Sequence, residues 1–145
     1  MNKSERATSK FASGYNCAQS VFFAFLEDLE IDPDTALKVA SGFGGGIGRR
    51  GEVCGAVTGG IMALGIKYGR GEKEDGAVAD AMYVKTREFM DRFVTQHGSC
   101  LCRELLDGCD LTTEEGQKTF KEKGLKNKVC TPCVQSAVEM IEKMM

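Results

Sequence analysis

Apolar residues recur at intervals of three and four along most of the chain, a spacing that places them on one face of an α-helix. No stretch of useful length alternates apolar with polar residues, so no β-strand is expected. The pattern therefore predicts an all-α bundle of about five to seven helices. The predicted helices cover residues 9–30, 34–41, 52–68, 72–97, 102–106, 112 or 113 to 123, and 133–143.

Several helix boundaries carry their own signals. Asp32 and Pro33 predict a helix start, because a carboxylate caps the first turn and proline lacks an N–H that would be unbonded there. Gly69 and Gly98 follow predicted helix ends, where glycine is common. Residues 42–51, between the second and third helices, contain six glycines and predict a loop with several positive φ angles.

Length and charge limit the classes of protein. The 145 residues suit one domain over residues 1–145, and the net charge of −2 gives no basic surplus for nucleic acid or anionic membranes. The N-terminus lacks the apolar core of a secretory signal, and the longest uncharged runs are shorter than the ~20 residues that a spanning helix needs. We therefore expect a soluble cytoplasmic protein with no direct membrane insertion and no nucleic-acid partner.

The chain contains seven cysteines, an odd number that cannot pair completely within one molecule. In a reducing cytoplasm, clustered cysteines indicate metal binding or redox chemistry more often than structural disulfides. Cys100 and Cys102 form one close pair, and Cys130 and Cys133 form another at a predicted helix start. Such pairs suit either a dithiol redox centre or a four-sulfur zinc or iron–sulfur site.

Cys54 lies in the first turn of the third predicted helix, just after Arg49 and an adjacent arginine. Free backbone N–H groups and guanidinium groups favour the thiolate, which is the form of cysteine that reacts and binds metal. Gly55 and Gly59 follow on one face of this helix, where each glycine costs roughly 1 kcal/mol relative to alanine. Close approach of another helix or of a cofactor would offset that cost, so Gly55, Gly59 and Arg49 are candidate cofactor-binding residues.

His97 is the single histidine of the chain. It lies at a predicted helix C-terminus, where the helix dipole favours an imidazolium. Its nearness to Cys100 and Cys102 leaves a role as a ligand or proton donor open.

Several segments, in this order along the chain, resemble a known family. They are Asn16-Cys17-Ala18-Gln19, Ser41-Gly42-Phe43-Gly44-Gly45-Gly46, Cys54-Gly55-Ala56-Val57-Thr58-Gly59, Cys102-Arg103-Glu104-Leu105-Leu106 and Cys130. The family consists of redox-active proteins and is named for its cysteine pattern, C_GCAxxG_C_C. The resemblance covers almost the whole chain, although the central element here reads Cys-Gly-Ala-x-x-Gly where the family name has Gly-Cys-Ala.

The resemblance implies a small soluble redox protein, often linked to transport genes. Its functional cysteines would be Cys17, Cys54, Cys102 and Cys130, and the partner would be a redox protein or a membrane transporter. The other three cysteines look like additions to the family pattern.

Three hypotheses of function follow from these observations. The first is a thiol–disulfide oxidoreductase in which Cys54 is the reactive thiolate and Cys17, Cys102 or Cys130 is its disulfide partner. The second is a metal protein in which these four cysteines hold an iron–sulfur cluster or zinc. The third is a helical partner module of a transporter or oxidoreductase with buried, unreactive cysteines. The first two require the four cysteines to converge in space. The sequence leaves the oligomeric state open.

Overall fold

A computed structural model describes residues 1–145 and confirms the all-α class. The nine α-helices are α1 (Lys3–Ala12), α2 (Cys17–Phe23), α3 (Leu26–Leu29), α4 (Pro33–Ala40), α5 (Gly55–Tyr68), α6 (Gly76–His97), α7 (Cys102–Leu105), α8 (Glu114–Glu122) and α9 (Thr131–Met144). Their number exceeds the prediction of five to seven because the segment predicted as the first helix forms three helices. Extended backbone pairs at one point only, an isolated antiparallel bridge between Val53 and Leu101.

The prediction of one helix over residues 9–30 is wrong. The chain breaks at Gly14, whose φ of +110° is incompatible with a right-handed helix. A new helix then starts at Asn16, which forms a capping box with Gln19: each side chain accepts a hydrogen bond from the other residue's backbone N–H. Cys17 is therefore the first residue of α2 and does not lie inside a long helix.

The boundary signals of the later helices are confirmed. The Asp32 side chain caps α4 by accepting the N–H of Thr35, and Pro33 is the first helical residue. Gly98 ends α6 with a φ of +88°. The predicted starts of α5 and α6 lie three and four residues too early, since α5 begins at Gly55 and α6 at Gly76.

The Cys130–Cys133 segment spans the start of α9, as the sequence predicted. Residues Lys126–Cys130 form a π-helical turn, and the backbone of Cys130 has right-handed helical angles that continue directly into α9. Cys133 is the third residue of α9 and therefore lies within a continuous helical segment.

The packing of α9 and α2 against their neighbours builds the core, which contains 23 buried residues. Helix α9 packs against α1, α2, α5 and α6, while α2 packs directly on α5. Cβ atoms added at Gly55 and Gly59 would lie 2.8 and 2.5 Å from backbone atoms of Ala18, so the missing side chains let α2 and α5 meet. No helix in the protein combines the length and apolarity needed to cross a membrane.

Candidate functional site

Five cysteines line one cavity of about 580 Å³. Its wall is formed by the starts of α2 and α5, by α7, by one side of α8, by the segment before α9 and by the glycine-rich loop. The five cysteines include all four that sequence analysis predicted, so these residues converge as expected. They are Cys17, Cys54, Cys102, Cys130 and Cys133.

The glycine-rich loop forms an unusual left-handed turn at the cavity. Five consecutive residues, 45–49, all have φ between +56° and +70°, and two of them, Ile47 and Arg49, are not glycine. Left-handed backbone costs non-glycine residues roughly 1–2 kcal/mol each. The turn brings Gly46 so close to Cys102 that a Cβ on Gly46 would lie 2.6 Å from that of Cys102. The loop therefore places bare backbone against a cavity cysteine.

Short backbone hydrogen bonds join the segments that carry Cys54 and Cys102. The N–H of Cys54 donates to the carbonyl of Cys100 at 2.8 Å, and the N–H of Cys102 donates to the carbonyl of Glu52 at 2.7 Å. Both bonds flank the bridge between Val53 and Leu101. Two cysteines that are distant in sequence are thus held side by side.

Cys54 has the acid–base character of a reactive thiol. It is the N-cap residue of α5 and is 6% exposed. The pKa of Cys54 is lowered from its ordinary value of 9.0, first because the Cys133 thiol donates a hydrogen bond to its sulfur. The backbone N–H groups of Ala56 and Val57 lower it further, and these effects outweigh burial. Sequence analysis placed Cys54 correctly at a helix start, but the largest contribution to its lowered pKa comes from another cysteine.

Cys133 is the cavity cysteine that the predicted four-cysteine site left out. It is 1% exposed, within α9. The pKa of its thiol is raised, first because it donates to Cys54 and then because it is buried. The resemblance left Cys133 outside the four family cysteines. Its three-residue spacing from Cys130, on one side of a helical segment, was the available signal.

Cys17 and Cys130 form a second interacting pair in the same cavity. The Cys17 thiol donates a hydrogen bond to Cys130, and this bond, followed by burial, raises the pKa of Cys17 well above 9.0. Cys102 makes no such pair. Burial, followed by the charge of Cys54, raises the pKa of Cys102 to about 12, so it remains a thiol at neutral pH.

The remaining two cysteines lie outside the cavity lining. Cys109 donates its S–H to the carbonyl of Gly116 at 3.1 Å, and Cys100 contributes its backbone carbonyl to Cys54. Neither sulfur lines the cavity.

His97 contacts Cys133 but does not itself line the cavity. Its Nδ1 lies 3.9 Å from Cys133 Sγ, and its Nε2 lies 2.5 Å from Ser136 Oγ. Burial lowers the pKa of His97, so the expected stabilisation of an imidazolium at the helix C-terminus is not found. The ring also packs on Phe93, with 4.5 Å between the ring centres.

The mouth of the cavity is positively charged. Arg49 and Lys121 line it, and no aspartate or glutamate does, although the chain has more acidic than basic residues. Neither cation has a carboxylate within ion-pairing distance. Of the candidate cofactor-binding residues, Arg49 and Gly55 line the cavity and Gly59 lies against Ala18 instead. Their role toward a cofactor stays a prediction.

Comparison with known sequences identifies the family of the chain. An uncharacterised protein of Archaeoglobus fulgidus is 33% identical over 114 residues, which cover 74% of this chain and 76% of the relative. No solved structure matches the chain. Residues 15–144 match the family described as "Putative redox-active protein (C_GCAxxG_C_C)" and include every cysteine of the cavity. The chain therefore belongs to the C_GCAxxG_C_C family.

Proposed function

We propose that the protein carries out thiol–disulfide exchange, with Cys54 as the nucleophile and Cys133 as the resolving thiol. The observation that carries this proposal is the position of Cys54 at the N-cap of α5, in one cavity with Cys133, where the Cys133 thiol and two backbone N–H groups lower the pKa of Cys54. Cys54 is also the more accessible of the two, at 6% against 1% exposed. A disulfide that enters the cavity therefore reaches Cys54 first.

The exchange balances with a disulfide R–S–S–R′ as the oxidant. The Cys54 thiolate attacks one sulfur, the S–S bond breaks and R′S⁻ leaves with the electron pair. Cys133 then loses its proton and attacks Cys54 Sγ, which forms the Cys54–Cys133 disulfide and releases RS⁻. Two protein thiols are oxidised and one substrate disulfide is reduced to two thiols. The reverse sequence reduces the protein.

Cys17 and Cys130 supply a second dithiol in the same cavity. Because the pKa of Cys17 is raised, Cys17 stays a thiol where Cys54 is a thiolate. The Cys17–Cys130 pair is thus a reserve dithiol that can receive oxidation from the first pair by exchange.

A four-thiolate metal centre is the alternative. As the side chains stand, no three His, Cys, Asp or Glu residues are placed to hold one metal ion. This placement of the side chains favours exchange. Metal analysis and the visible spectrum of anaerobically purified protein test the alternative, and bound stoichiometric iron or zinc would support it.

The exchange is tested with a small aromatic disulfide whose thiolate product is coloured. We expect the reduced protein to release one equivalent when Cys54 attacks and a second when Cys133 closes the disulfide. Peptide mass spectrometry should then identify the Cys54–Cys133 bond. Cys133→Ser should release only the first equivalent from this pair and retain a mixed disulfide on Cys54.

Cys109→Ser is the matched control, since its thiol lies outside the cavity. It should react like the unmodified protein. If Cys54→Ser also reacts like the unmodified protein, Cys54 is not the nucleophile and the proposal is wrong. If no cavity thiol reacts faster than the thiols of the unfolded chain, the cysteines are structural, as in a non-catalytic partner module.

A further inference from the structure

Closing the Cys54–Cys133 disulfide, a step that rests on the proposed function, poses a problem of proton transfer. Before the reaction, the Cys133 proton is directed at the Cys54 thiolate. Once Cys54 is part of a mixed disulfide, its sulfur carries no charge and no longer attracts that proton. Cys133 is buried and reacts only as a thiolate, so its proton needs another acceptor.

His97 Nδ1 is the side-chain nitrogen within hydrogen-bonding distance of Cys133 Sγ, at 3.9 Å. Cys133 Sγ makes no other hydrogen bond to a side-chain nitrogen or oxygen. The contact joins the end of α6 to α9, and Phe93 packs against the ring on its own helix. The imidazole is thus held at the side of Cys133.

A second hydrogen bond decides which nitrogen of His97 carries the proton. Ser136 Oγ lies 2.9 Å from the carbonyl oxygen of Pro132, which can only accept, so the hydroxyl proton is directed there. Ser136 Oγ then accepts from His97 Nε2 at 2.5 Å. The reverse assignment would leave two oxygen atoms in contact without a proton between them. Neutral His97 is therefore protonated on Nε2, and its Nδ1 lone pair faces Cys133.

We propose that His97 is the general base that removes the Cys133 proton during closure of the Cys54–Cys133 disulfide. The Cys133 S–H bond breaks as Nδ1 takes the proton, Cys133 Sγ bonds to Cys54 Sγ, and RS⁻ leaves. His97 becomes an imidazolium, which afterwards loses its proton to solvent because its ring is only partly buried. Ser136 is a positioning residue, because it fixes the tautomer and does not touch the reacting sulfur atoms.

The surroundings of His97 suit this role. Burial lowers its pKa, so the imidazole is neutral at the start and can accept a proton. In the proposed reverse reaction, the same imidazolium would return the proton to Cys133. The single histidine of the chain therefore lies beside Cys133, where closure of the disulfide requires a base, and not beside Cys54, whose attack requires none.

The exchange assay measures the two steps separately. The first equivalent of coloured thiolate reports the attack by Cys54, and the second reports closure of the Cys54–Cys133 disulfide. His97→Gln should leave the first phase unchanged, since Cys54 is already a thiolate, and slow the second phase by about 10²-fold or more. Added imidazole should restore part of the second phase. Ser136→Ala should slow the second phase less than His97→Gln, because Nδ1 is still present but its tautomer is no longer fixed.

A purely structural role for His97 would change both phases together or lower the melting temperature without rescue by imidazole. An unchanged second phase in a folded His97→Gln protein would overturn the inference and leave the proposed exchange intact. Failure of the unmodified protein to release a second equivalent would refute the exchange itself. Gln96→Ala, at the neighbouring position of α6, is the control and should change neither phase.

Discussion

Cys17 and Cys54 occupy comparable places in the fold but differ in acid–base character. Each lies at the start of a helix, lines the same cavity and interacts with a cysteine of the segment around the start of α9. The pKa of Cys54 is nevertheless lowered, while that of Cys17 is raised. Proximity to a helix N-terminus therefore does not decide which thiol ionises.

The direction of the hydrogen bond accounts for the difference. Cys54 accepts from Cys133, and the N–H groups of Ala56 and Val57 lower its pKa further. Cys17 is the donor in its own pair, and the capping position of α2 is held by the Asn16 amide side chain and not by Cys17. A cysteine at a helix start therefore becomes the nucleophile when it caps the helix itself and accepts a hydrogen bond from its partner thiol.

The largest expected effect comes from removing the nucleophile of each pair. Cys54→Ser should reduce the release of coloured thiolate to the rate of unactivated thiols, since a serine hydroxyl is not ionised at neutral pH. Cys17→Ser should leave the first phase nearly unchanged. Stopped-flow measurement of both variants tests the comparison directly. Equal losses in the two variants would show that the pairs act as one unit.

The pH dependence of the first phase should also separate the two pairs. A lowered pKa keeps Cys54 ionised below 9.0, so its rate should stay high at neutral pH and fall only as the pH drops through the lowered value. In Cys54→Ser, any residual reaction of Cys17 should instead rise above pH 9.0. The stability due to the Cys54 thiolate should be fully present above pH 9.0 and should be lost as the pH falls from there through the lowered pKa. Rates and thermal unfolding measured from acidic to alkaline pH test both statements.

The contact between α2 and α5, at whose starts Cys17 and Cys54 lie, should be sensitive to the addition of one methyl group. A Cβ at Gly59 would lie 2.5 Å from the carbonyl oxygen of Ala18, next to Cys17, so Gly59→Ala should destabilise the fold by ~1–3 kcal/mol. Gly65→Ala, on the same helix, is the matched control because its Cβ would meet only Met82 Cε at 3.9 Å. It should stabilise the fold by up to ~1 kcal/mol. Thermal unfolding measures both, and a stabilised Gly59→Ala protein would mean that α2 and α5 have room between them.

Local chemistry in the sequence was sufficient for most of the fold. The caps at Asp32 and Gly98 are interactions within a few residues, and helical periodicity identified the core faces. The first helix was misjudged because the apolar stripe continues through the break at Gly14. The Asn16 and Gln19 pair was the local signal that contradicted it.

The chemistry of the site was harder to predict because it depends on contacts between distant segments. The sequence placed Cys54 at a helix start, as the structure has it, since an N-terminal helix position is readable from its neighbours, whereas its role as nucleophile stays a prediction. The pairing of Cys54 with Cys133 and the contact of Cys133 with His97 exist only once α5, α6 and α9 pack together. Which thiol donates and which accepts is decided by those tertiary contacts.

The smallest expected effect concerns the charge of the disulfide that reaches the first pair. Lys121 lines the mouth of the cavity without a carboxylate partner, so an anionic small disulfide should react faster with Cys54 than a cationic one. Because Lys121 is exposed and screened by salt, Lys121→Gln should reduce this preference by about two- to fivefold, and less at high ionic strength. Lys118→Gln, also on α8 but paired with Glu122 and outside the cavity, should leave the preference unchanged. First-phase rates with disulfides of equal size and opposite charge measure the effect. Equal rates for the two disulfides in the unmodified protein would show that the mouth does not select by charge, and the difference between the two cysteine pairs would then depend on their hydrogen bonds alone.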